Sequence, residues 1–186
     1  MRVRGVADRA TATRLEVRYG SVHNLSMAIV SAGMIAAAIL HFANNAANAP
    51  TLSLNDPRSV LFAMLAMALG YYIFLGVSRF RNRTPQVVID ADGIALGFGR
   101  DRRFSWSDIE WVRLRRLAVR PQLEIGVAAV ALAQANLRLS MWNFDDGLRP
   151  IRGRPTALLV RDNGLDTSAS AMLDAVKAFR PNLVKS

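Results

Sequence analysis

The sequence predicts a membrane α-helical hairpin of two transmembrane helices followed by an α+β, mostly-β domain that ends in a helix. Three observations predict it. No charged side chain lies between Arg18 and Asp56, and none between Arg58 and Arg79. From Arg79 onward charge returns, and short stretches alternate apolar and polar residues with the period of a strand. Near the end, Met172, Leu173, Val176 and Phe179 recur at the spacing of one helical face.

The first apolar run extends from about Leu25 to Phe42 and the second from about Ser59 to Ser78. Each covers a hydrocarbon core of roughly 30 Å as a helix, and lipid leaves the backbone no other way to satisfy its polar groups. The Asn44–Pro57 connection is short, polar and rich in Asn, Ala and Pro. Arg2, Arg4, Arg9, Arg14 and Arg18 precede the pair, and Arg79, Arg81 and Arg83 follow it, whereas only Arg58 lies around the connection. The positive-inside rule then places both termini in the cytoplasm, with Tyr71 and Tyr72 at the inner interface. Ala47-Asn48-Ala49 has the form of a signal-peptidase site, but Pro50 behind it and the length of the apolar run argue for an uncleaved span. Ala28, Ala32 and Ala36 in the first span, and Ala66 and Gly70 in the second, form small-residue faces expected to bring the helices together. The expected organisation is an N-terminal cytoplasmic segment over residues 1–24, the hairpin over 25–78 and a cytoplasmic domain over 79–186.

In the soluble part, 86–90 reads as a short apolar strand and Ala91-Asp92-Gly93 as a tight turn. Ile94, Leu96 and Phe98 alternate as a half-buried strand, and 99–103 reads as a loop. After a segment from Phe104 through Trp106 to Asp108 comes a strand over 110–117, with Val112 and Leu114 on one face and Arg113 and Arg115 on the other. Pro121 is expected to break it, before Leu123, Ile125 and Val127 alternate again. The alanine-rich stretch 127–141 is ambiguous between strand and helix. Residues 143–155 hold Asp145-Asp146-Gly147 and two prolines and read as a loop; 157–160 reads as a strand closed by Asn163-Gly164. The last helix starts at a Thr167 or Ser168 cap and stops at Pro181.

The run PQVVIDADGIAL, then RRFSWSDIEWVRL, then a late strand and a C-terminal amphipathic helix, resembles the bacterial pleckstrin-homology-like (PH-like) domain. More narrowly it is similar to small bacterial inner-membrane proteins that join two transmembrane helices to such a domain. Asp90, Gly93, Ile94, Trp106, Asp108, Ile109 and Val112 carry the resemblance, which covers roughly residues 84–183. It implies two packed antiparallel sheets capped by the final helix. Read for their own chemistry these residues are structural. Gly93 permits the turn, Trp106 and Ile109 belong to a core, and Asp108 caps the turn behind Trp106.

The net charge is +10, of which +3 lies ahead of the first run and +7 from Arg79 onward. That balance suits a surface near anionic headgroups. No helix-turn-helix, ribonucleoprotein or zinc pattern points to nucleic acid. Cysteine is absent, which excludes disulfides and thiol chemistry, and both histidines, His23 and His41, precede the domain. No phosphate-binding loop, metal-ligand set or catalytic constellation appears, and no cofactor is called for. The sequence thus leads to a non-enzymatic, membrane-tethered module that binds a protein partner at the cytoplasmic face. A second expectation is contact with anionic lipid through Arg79, Arg81 and Arg83 at the membrane exit and Arg100, Arg102 and Arg103 in a loop. Self-association of the hairpin is compatible with its small-residue faces.

Overall fold

A computed structural model describes residues 13–46, 49–51, 53, 55–96, 102–117, 120–135, 148–151 and 154–185. The chain divides into two compact units, residues 19–83 and a second unit made of residues up to Arg18 together with those from Thr84 onward.

The first unit is a pair of long helices, α1 (Ser21–Asn44) and α2 (Pro57–Arg81). Both are long and apolar enough to cross a membrane. Only 11% and 6% of their most apolar stretches are buried within the protein, and Val22, Leu61 and Phe74 stand more than half exposed. A core helix of a water-soluble domain would hide such residues. The α2 start is well specified. Asp56 accepts hydrogen bonds from the backbone N–H groups of Arg58 and Thr51, and Pro57 occupies the first helical position, where its missing N–H costs nothing.

The helices meet along Asn24, Ala28 and Ser31 of α1 and Leu69, Gly76 and Arg79 of α2, which are the buried positions of the pair. A Cβ on Gly76 would lie 2.5 Å from the Asn24 carbonyl oxygen and 2.9 Å from the Ala28 Cβ. The close approach therefore uses Ala28 as expected, but against Gly76. Ala32 and Ala36 are exposed, and a Cβ on Gly70 would meet nothing within 4 Å. Toward the connecting loop, Phe42 and Phe62 stack edge to face at 5.3 Å.

The second unit holds two four-stranded antiparallel sheets and a C-terminal helix. One sheet has the order β1 (Leu15–Val17), β2 (Val87–Ile89), β3 (Gly93–Leu96), β4 (Arg102–Ser105). The other runs β5 (Ile109–Leu117), β6 (Arg120–Val127), β8 (Arg154–Val160), β7 (Leu148–Ile151). A single apolar core takes residues from both sheets, among them Val17, Ile89, Phe104, Leu123, Ile125 and Val160. Helix α4 (Ala169–Phe179) closes it with Met172 and Val176, both fully buried. Ser168 caps α4 by accepting from the Ala171 N–H. Past Pro181 the chain turns back, and Val184 bridges Val112 in parallel, which covers the outer edge of β5.

Several local expectations are corrected. The segment ahead of α1 is not separate from the domain. Leu15, Glu16 and Val17 pair with Ile89, Val88 and Val87, and the Gln86 N–H donates to the Val17 carbonyl at 2.7 Å. Strand β3 is buried at every position, Ala95 included, rather than half-buried. Pro121 does not break the structure; it is the second residue of β6, opposite Arg116 at the turn end of the hairpin, where a missing donor is tolerated. The loop expected over 143–155 contains strand β7 and the start of β8. Pro150 is accommodated because β7 is an edge strand. The ambiguous stretch 127–141 begins as the end of β6 and continues as helix α3 (Ala129–Ala135); Phe98 and residues 136–147 lie outside the described residues.

Candidate functional site

The residues that carry the resemblance come together as one clamp on the β2–β3 turn. Gly93 has φ of +151°, and a Cβ there would run into the Phe104 carbonyl oxygen, so the position accepts only glycine without displacing β4. Asp90 bonds the Asp92 N–H at 3.0 Å and takes both terminal nitrogens of Arg103, at 2.6 and 2.9 Å. The Trp106 indole N–H reaches the Ala91 carbonyl at 2.9 Å and the Asp90 carbonyl at 3.1 Å. Asp108 closes the next turn, accepting from the N–H and hydroxyl of Ser105 at 3.1 and 2.7 Å. Ile94, Ile109 and Val112 fill the core beneath. Asp90, Gly93, Trp106 and Asp108 thus hold two turns in register.

The Arg103 guanidinium, through its hydrogen bonds, holds the Asp90 carboxyl below the usual carboxylate range, against an opposing contribution from burial. A group with a depressed folded pKa contributes stability above its unfolded pKa, roughly 3.9, and loses it as pH falls through the folded value. Acid unfolding of the wild-type chain is therefore expected to include an Asp90 component below about pH 4 that Asp90→Asn lacks. Chemical denaturation at pH 7 and pH 3 checks this. A pH dependence identical in the two proteins would show that the pair is screened out, since Arg103 is 40% exposed.

The six arginines expected at headgroups fall into different states. Arg100 lies outside the described residues, and Arg102 is placed in β4 by its backbone. Arg103 is bound to Asp90. Arg79 is only 6% exposed, with its guanidinium 5.3 Å from the centre of the Tyr19 ring. The Arg83 guanidinium lies over the Phe80 ring at 5.8 Å. Arg81 is exposed and engages no acid or ring among the described residues.

A second polar cluster was not singled out from the sequence. On the outward side of the second sheet, Glu124 of β6 is 0% exposed and accepts from Arg113 Nε of β5 at 2.6 Å, with Arg115 at 3.8 Å. Arg113 also stacks on Trp111, 5.0 Å from the ring centre. Trp111 lies so close over Gly126 that any Cβ there would collide with the indole. A bulge between Ile109 and Trp111 sets this face, leaving Ile109 and Val112 both in the core. Period-two alternation placed Arg113 and Arg115 outward; the missing signal was the register that sets Arg113 opposite Glu124. The arrangement neutralises a buried carboxylate.

Among the described residues no group of three or more His, Asp or Glu side chains could hold a metal ion. No protein-family model, no curated protein and no solved structure matches the chain.

Proposed function

We propose that this chain is a membrane-tethered, non-enzymatic interaction module: a PH-like domain held by its hairpin at the cytoplasmic face of a bacterial inner membrane. The observation that carries the reading is the insertion of the apolar helix pair between two hydrogen-bonded neighbours, β1 and β2. Both outer ends of the hairpin enter one folded domain, so they emerge on the same side of the bilayer. The arginines at those ends favour the cytoplasmic side. Support for the PH-like assignment comes from two packed antiparallel sheets, a closing C-terminal helix and the clamp built from the resemblance residues. Support for binding over catalysis comes from polar clusters that are internally consumed. A photo-crosslinking residue at exposed Ser107 or Ser170 of the full-length protein in intact cells is expected to yield a discrete protein adduct. Adducts to lipid alone, or none at either position, would overturn the reading.

A second reading is contact with anionic headgroups, for which the exposure of Arg81 and Arg83 at the end of α2 is the specific support.

A further inference from the structure

The geometry points to a specific anionic-phospholipid site on α2, with the acyl chain lying along Ile73, Phe74 and Val77 and the headgroup on Ser78 and Arg81. It rests on the second reading above and gives that reading a place and a residue. Among the described residues those five, all on one face of α2, line an open groove of about 560 Å³. Its apolar part, Phe74 above all at 67% exposure, sits on a helix long and apolar enough to be surrounded by lipid. Its other end, about 12 Å along the axis from Ile73 at 1.5 Å per residue, carries a hydroxyl and a guanidinium. An apolar helix face that ends in a hydroxyl and an exposed guanidinium fits a glycerophospholipid with an anionic headgroup.

The three exit arginines are not equivalent, which is why the site centres on one of them. Arg79 is buried over Tyr19, and Arg83 is drawn over Phe80. Arg81 alone of the three lines the groove, and among the described residues it has no competing acid or ring. A guanidinium in that position forms paired hydrogen bonds to a phosphate, whereas a zwitterionic headgroup offers the same phosphate already balanced by its own cation.

The test uses the full-length protein reconstituted in phosphatidylcholine bilayers at fixed ionic strength, with trace spin-labelled phosphatidylglycerol or spin-labelled phosphatidylcholine. The motionally restricted fraction reports lipid held against the helices. Wild-type protein is expected to favour phosphatidylglycerol by about fivefold, the factor that one cation near the surface supplies. Arg81→Gln should bring the preference close to parity, and Arg83→Gln should leave most of it. Val77→Trp, at a 41% exposed position that tolerates a larger ring, should fill the groove and lower the preference with Arg81 intact. Equal losses in R81Q and R83Q would mean diffuse charge and overturn the site, as would a wild-type protein with no preference. Alkaline extraction of the same samples separates the two levels. Release from the bilayer defeats the membrane reading itself, whereas retention without headgroup preference defeats the lipid site alone.

Discussion

Residues 84–186 expressed alone are expected not to fold, while residues 86–186 preceded by 13–18 through a two-residue turn fold as a soluble domain. Strand β1 explains the difference. Val17 is fully buried in the common core, Leu15 packs against it, and together they cover Val87 and Ile89, which are themselves 0% exposed. A fully buried aliphatic side chain contributes about 1.5–3 kcal/mol, so losing Val17 alone removes a large part of a typical total of about 5–15, and uncovering Val87 and Ile89 adds to it. The Arg18–Asp166 pair of hydrogen bonds, at 2.9 and 3.0 Å, is lost as well. The repair is geometrically simple. Val17 lies opposite Val87 in antiparallel register, so an Asn-Gly link in place of residues 19–85 makes an ordinary two-residue hairpin. Amide spectra and thermal melts of the two proteins are the measurement. A dispersed spectrum and an equal melting temperature for 84–186 alone would sink the assignment of β1 to the core.

Gly76→Leu is expected to destabilise the helix pair by about 2 kcal/mol or more, the cost of overpacking a close contact. The new side chain would start 2.5 Å from the Asn24 carbonyl oxygen, a backbone atom that cannot rotate away. Gly70→Leu provides the control, because a Cβ there meets nothing within 4 Å and the added surface faces the surroundings of the helix. SDS titration of the purified full-length variants, followed by far-ultraviolet circular dichroism, should move the midpoint for Gly76→Leu and leave Gly70→Leu near wild type. Equal shifts would show that Gly76 is not the crossing point. Small residues are common in apolar helices, and helical spacing singles out Ala66 and Gly70 rather than Gly76. What distinguishes them is the facing residue on the other helix, which lies about 50 positions away in sequence.

The same distinction runs through the domain. The turn at Asp90–Gly93, the alternation of β5 and β6 and the capped helix α4 were each readable within a dozen residues, because turn chemistry and side-chain periodicity are local. The clamp could be named from Asp90, Gly93, Trp106 and Asp108, but not the direction of its bonds. Pro150 misled the reading of 143–155 because proline's tolerance depends on whether its strand is an edge, which only the sheet order decides. The arginines misled it for a related reason. Arg79, Arg81 and Arg83 are alike as residue types, and their roles separate only when Tyr19 and Phe80 take up two of them.

By itself the sequence determined that two uncharged runs of membrane-spanning length stand ahead of a basic region of alternating strands, since hydropathy and periodicity are sums over neighbours. Only the tertiary structure decided that the domain begins before the helices, that Gly76 is where they touch, that Glu124 is neutralised within the sheet and that Arg81 remains available. Each of these depends on a partner tens of residues away, on another strand or helix. Register and packing choose such partners, and no local pattern encodes them.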